Sequence, residues 1–117
     1  MARCALVLAA RAAGIEVFDT PHFEYRDEPG LERSARRARA LGFDGKTCIH
    51  PAQVAVVNRV FAPTAEEVER ARRVVEALKA AEREGRGVAT VDGEMVEALH
   101  GAEAVRTLDR ARRAGAA

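Results

Sequence analysis

Apolar and polar positions along the chain switch repeatedly between a helical period and a strand-like one. Residues 3 to 13 are rich in Ala and Leu, and Gly14 closes them as a helix. Ile15, Val17 and Phe18 then read as a strand that ends on Asp19. No period governs Thr20 to Gly30, which holds Pro21 and Pro29 along with His22 and Tyr25, so a loop is predicted there. Loops placed after strands carry function more often than the strands do. Leu31, Ala35, Ala38 and Leu41 return to helical spacing with Arg and Glu outward, and Gly42 supplies the stop.

Asp44-Gly45 makes a turn into a short strand, Lys46 to Ile49, with Cys48 expected to be buried in it. The strand stops at His50, and Pro51, with its fixed φ and missing N–H, suits the first position of the next helix. Strand, helix and strand form a βαβ unit, whose parallel strands put Asp19 and His50 at the same end of the sheet. In parallel α/β sheets that end is where ligands bind.

Further on, Thr64-Ala65-Glu66-Glu67 has the spacing of a capping box. Val68, Ala71, Val74, Val75, Leu78 and Ala81 follow as an amphipathic stripe, broken by Gly85 to Gly87. Val88 to Val91 and Glu94 to Val96 flank Asp92-Gly93, the preferred two-residue hairpin turn. A last amphipathic helix is expected from Ala102 to Arg113. There is no repeat, low-complexity tract or linker.

Composition narrows the function classes. With 19 basic and 18 acidic residues, no single-sign field points to nucleic acid or to an anionic membrane. All but Lys46 and Lys79 of the basic residues are arginines. The Arg33, Arg36, Arg37, Arg39 group and the Arg70, Arg72, Arg73 group read as solvated faces, the second paired with Glu66, Glu67 and Glu69 one turn away. Cys4 and Cys48 are far apart with no metal spacing, which speaks against zinc and for a reducing cytoplasm. The apolar start, Cys4 to Ala10, is cut short by Arg11 and is read as a buried helix, too short to span a membrane.

Several ordered motifs carry a family resemblance. Gly42-Phe43-Asp44-Gly45-Lys46, Ile49-His50-Pro51-Ala52-Gln53, Asn58, Phe61-Ala62-Pro63-Thr64 and Gly87 to Val96 together resemble the C-terminal part of the citrate lyase beta subunit-like family, which includes malyl-CoA and citramalyl-CoA lyases. The resemblance implies an α/β fold of the TIM (β/α)₈ barrel type with a C-terminal extension. It also implies a Mg²⁺-dependent enzyme that makes or breaks a carbon–carbon bond in an acyl-CoA or acyl-carrier thioester. A full barrel needs about 250 residues, with about 200 near the lower limit. At 117 residues the chain is therefore expected to be a partial barrel, its last βα units in residues 1–63, with a helix–hairpin–helix extension in residues 64–117. The family's Mg²⁺ ligands, a Glu and an Asp, precede this region, so none is expected in this chain. Exposed strand edges and an apolar helix face predict a homo-oligomer. A non-catalytic interaction module is the alternative.

Five residues are candidates for chemistry. Asp19 either orients substrate or the metal's water shell, or caps a strand end. Lys46 either neutralises a substrate anion or pairs with Asp44. His50 either contacts substrate or locks the turn through the backbone, and Gln53 either binds ligand or caps its helix. Glu97 stands where the resembled lyases carry an acid/base Asp that reaches a neighbouring subunit's active site. Here the carboxylate is one methylene longer, and the family's following Pro is absent from Glu97-Ala98-Leu99. A carboxylate ahead of the final helix also suits that helix's dipole.

Overall fold

A computed structural model describes residues 1–115, which form two compact units, Met1–Phe61 and the segment from Ala62 onward. In the first unit, α1 (Ala2–Ala13) ends on Gly14, whose left-handed φ of 70° lets its N–H turn back to the Ala10 and Arg11 carbonyls. The chain then enters β1 (Phe18–Asp19), crosses through α2 (Glu28–Leu41) and returns as β2 (Gly45–Lys46) before α3 (Pro51–Phe61). The two strands pair in parallel, Phe18 with Gly45 and Asp19 with Lys46. Val7, Ala10, Val17, Ala38 and Phe43 form the core beside them, and Leu31, Val56 and Val57 form a second cluster.

Three expectations for this unit are corrected. The strand before Asp19 is shorter than its apolar pattern, because Ile15 N–H donates to the Ala10 carbonyl and Val17 N–H to Asp44 Oδ2, leaving only Phe18 and Asp19 in the ladder. The Thr20 to Gly30 loop ends early: Asp27 Oδ1 accepts from Gly30 N–H at 3.1 Å, so the helix starts at Glu28 with Pro29 in its first turn. A Cβ on Gly30 would collide with that capping carboxylate. The second strand stops at Lys46 rather than Ile49, because the Ile49 N–H is taken by a side chain, Gln53 Oε1, at 2.9 Å. Cys48 consequently lies exposed and not in a buried strand.

In the second unit, α4 (Ala65–Arg83) begins at Thr64, whose Oγ1 accepts from Glu67 N–H at 3.1 Å. β3 (Ala89–Val91) and β4 (Glu94–Val96) form the antiparallel hairpin, and Asp92 (φ 52°) with Gly93 (φ 79°) makes its turn. The final helix, α5 (Ala98–Arg113), starts four residues before the expected Ala102 because Glu97 caps it, its N–H donating to His100 Nδ1 at 3.0 Å. Gly101 then lies against α4: a Cβ there would fall 2.8 Å from Leu78 Cδ1, so a larger residue would require the end of the Leu78 side chain to move. Ala71, Val74, Val91, Val96 and Ala104 close the core between helices and hairpin. Arg70 and Arg73 pair across to Asp92 and Glu94 of the hairpin, while Arg72 keeps an expected partner on α4, Glu69, at 3.8 Å.

Candidate functional site

The polar end of the parallel pair is built around Asp19. In-register pairing brings Lys46 Nζ to 2.8 Å from Asp19 Oδ2, and Arg3 from α1 reaches the same oxygen at 3.0 Å. Lys46 Nζ also donates to the Thr20 carbonyl at 2.7 Å. The Lys46 side chain is 2% exposed and that of Asp19 6%, so the charges compensate each other where water does not. Thr47 ties the same strand end by donating both its N–H and its hydroxyl to the Asp19 carbonyl, each at 3.0 Å.

The expected Lys46–Asp44 pair does not form. Asp44 instead accepts from Arg11 on both oxygens at 2.9 Å, while Arg11 also donates to the Gly42 carbonyl at 2.6 Å. The hydrogen bond to Asp44 is the main cause of the raised Arg11 pKa, with desolvation opposing it.

Gln53 and His50 organise the loops above this end. Gln53 is 1% exposed; its Oε1 accepts from Ile49 N–H and its Nε2 donates to the His22 carbonyl at 2.8 Å, so one buried amide ties the β2–α3 turn to the β1–α2 loop. His50 Nδ1 accepts from Ala52 N–H at 3.1 Å, which fixes the turn into α3. The exposed imidazole face stacks on Tyr25, centroids 4.5 Å apart and planes 11° from parallel. His22 Nε2 lies 3.4 Å from Asp27 Oδ2 in the same loop.

Of the predicted residues, Asp19 and Lys46 meet directly, and Gln53 and His50 flank the same turn, while exposed Glu97 belongs to the second unit. Sequence reasoning missed Arg3, Arg11 and Tyr25. Their partners lie 16, 33 and 25 residues away along the chain, and no local period marks them. No three His, Cys, Asp or Glu side chains come together among the described residues in a way that could hold a metal ion. No described helix is long and apolar enough to cross a membrane.

The family model for carbon–carbon bond lyases of the TIM-barrel fold matches residues 5–116, and the chain belongs to that family. It is 49% identical over 105 residues to a (3S)-malyl-CoA thioesterase of Cereibacter sphaeroides, covering 90% of this chain and 37% of that protein. It is 48% identical over 96 residues to the citrate lyase subunit beta of Escherichia coli, covering 82% of this chain and 32% of the relative. The chain thus spans about a third of the length of these curated relatives. Among solved structures it is similar to protein CitE from Mycobacterium tuberculosis, a complex with magnesium, acetoacetate and coenzyme A. That likeness has a TM-score of 0.74 and 39% identity, over 94% of this chain and 40% of the other.

Proposed function

We propose that the chain is the C-terminal part of a carbon–carbon lyase acting on a 3-hydroxyacyl thioester of the citryl, malyl or citramalyl type. Family membership across residues 5–116 is the observation that carries this reading. On it, residues 1–63 are the last βα units of a (β/α)₈ barrel and residues 64–117 its helix–hairpin–helix extension. The chain alone leaves most of the barrel to be supplied and turns over no substrate.

The reaction takes a proton from the 3-hydroxyl, breaks the C2–C3 bond and leaves a thioester enolate that is then protonated at C2. In the complete assembly, Glu97 is the group that moves this proton, supplied across a homo-oligomer interface. Asp19, Lys46 and Arg3 hold the strand end rigid beneath the substrate, and Gln53 and His50 fix the loops that face it. The described residues do not fit a magnesium site: Asp19 is taken by two cations, and among the described residues no three His, Cys, Asp or Glu side chains group to hold a metal ion. The Mg²⁺ of the complete family enzyme is therefore assigned to ligands outside this chain. Two exposed free cysteines fit a reducing cytoplasm.

The test is a chimera in which the N-terminal segment of the Cereibacter sphaeroides relative precedes this chain, incubated with malyl-CoA and Mg²⁺. Acetyl-CoA plus glyoxylate is the expected product pair. Malate plus free coenzyme A would replace carbon–carbon cleavage with thioester hydrolysis, the activity in that relative's name. A well-folded chimera with neither product would favour an interaction module, for which the exposed Phe18 and Phe23 are the supporting observation.

A further inference from the structure

We propose that His100 is the positioning residue for Glu97, holding its backbone through a neutral imidazole and releasing it when the ring takes up a proton. This rests on the lyase reading above and deepens it, because Glu97 is the group assigned there to move the proton.

Glu97 sits where two fixed elements meet. On one side Val96, buried at 2% exposure, makes the last pair of the hairpin ladder with Ala89. Beyond that pair the Glu97 N–H is taken by a side chain, His100 Nδ1, at 3.0 Å. On the other side the Glu97 carbonyl accepts from Gly101 N–H at 3.1 Å in the first turn of α5. Ala98 and Leu99, which follow Glu97, are both exposed, which leaves the imidazole to fix the junction. His100 occupies the third helical position, where a capping box ordinarily has Glu or Gln. The difference is chemical: an amide oxygen accepts at any pH, whereas an imidazole accepts at Nδ1 only while that nitrogen carries no proton. When the ring is protonated, Nδ1 becomes a donor facing the Glu97 N–H, and the bond is lost. The restraint on Glu97 is therefore present with the neutral ring and disappears as pH falls. Histidine is the side chain that ordinarily changes charge between about pH 5 and 8.

His100 shares a cleft of about 240 Å³ with Glu67 and Arg70 of α4 and Glu103 and Thr107 of α5. Arg70 is engaged by Asp92 and Glu94 of the hairpin. Its charge and the positive end of α5 oppose an imidazolium at this place. Glu67, Glu103 and the Glu97 carboxylate favour one. The charged ring thus exchanges the Glu97 N–H for carboxylates around the cleft, and the backbone from which Glu97 reaches is loosened. About 1 Å of misplacement in a reacting group can cost on the order of 100-fold in rate.

The test has two arms. In the full-barrel chimera with malyl-CoA and Mg²⁺, kcat should fall as pH drops from about 8 to about 5. His100→Gln should keep kcat at neutral pH and remove that fall, since its amide oxygen accepts throughout. His100→Ala should lower kcat at neutral pH by about tenfold or more with KM little changed. A cap that serves stability alone predicts neither the kcat-only loss nor the altered pH profile. In the second arm, NMR on the 117-residue chain follows the Glu97 amide and the His100 ring together. Protection of that amide should be lost in step with protonation of the ring, and should not vary with pH in His100→Gln. His100 is exposed, and unchanged circular dichroism would show that the variants fold. A Glu97 amide indifferent to the state of His100, or an acid fall that persists in His100→Gln, would overturn the proposal. The two readings fail separately. A chimera that cleaves malyl-CoA with kcat unmoved by His100→Ala defeats this inference alone, and a coupled His100–Glu97 titration without carbon–carbon cleavage defeats the lyase reading alone.

Discussion

Asp19 and Lys46 show how a single contact is legible in part. The alternation before Asp19 marks a strand end, and a βαβ crossover places the next strand beside it. Which cation Asp19 meets depends on register, set 27 residues away, so the sequence-adjacent Asp44 looked the better partner for Lys46. Asp44 is instead engaged by Arg11 and by the Val17 N–H. Burial of the Asp19–Lys46 pair makes its two halves interdependent, because removing one leaves the other's charge in a site with little water. Lys46→Met should therefore destabilise the first unit by about 3 kcal/mol or more, even with Arg3 still on Asp19. The combined Lys46→Met, Asp19→Leu variant should recover most of that loss, since apolar replacement of both partners is often close to neutral. Urea unfolding monitored within the first unit measures both; a double variant as unstable as the single one would refute the interdependence.

Elements were most legible where backbone chemistry is local. Gly14, Gly42, Pro51 and Asp92-Gly93 each announce a boundary, and the helix ends and hairpin turn fall at those residues. Starts set by side-chain caps were harder to see: Asp27 and Glu97 begin α2 and α5 earlier than apolar spacing suggests, because capping atoms leave no periodic trace. Strand lengths failed for a related reason, with Asp44 and Gln53 side chains taking backbone donors that the pattern assigned to a ladder.

The hairpin offers a pH test at this scale. Arg73's hydrogen bond is the first cause holding the Asp92 carboxyl below its ordinary range, opposed by desolvation and aided by Arg70. A pKa depressed on folding means that the contribution is present above the unfolded value of about 3.9 and is lost as pH falls through the lower folded value. Carbon-detected NMR titration should put the Asp92 midpoint below that ordinary value, and Arg73→Gln should raise it. Hairpin amides should lose protection only on the acid side of the same window. A midpoint that Arg73→Gln leaves in place would refute the assignment.

At the scale of the whole molecule, the chain divides its proposed tasks between two units: a polar strand end in the first and a carboxylate at a helix start in the second. Neither the composition nor the periodicity revealed that division's purpose; only the resemblance attached a proton-transfer role to Glu97. The role is separable from helix capping by substitution in the full-barrel chimera. Gln keeps the size and hydrogen bonding of Glu97 but exchanges no proton, so Glu97→Gln should abolish turnover while KM for malyl-CoA changes little. Glu97→Asp should raise the rate by shortening the arm to the family's length, since about 1 Å of misplacement can cost on the order of 100-fold. A purely structural Glu97 predicts the reverse ordering of effects: a small stability loss for Gln at the helix start and no rate gain for Asp. Supply across a subunit interface adds a stricter demand. Mixing Glu97→Gln chimeras with chimeras disabled at Lys46 should restore turnover, because some interfaces then join an intact strand end to an intact carboxylate. Two inactive parents that stay inactive when mixed and refolded together would rule out the shared site, and light scattering on the same samples would show whether an oligomer had formed to share it.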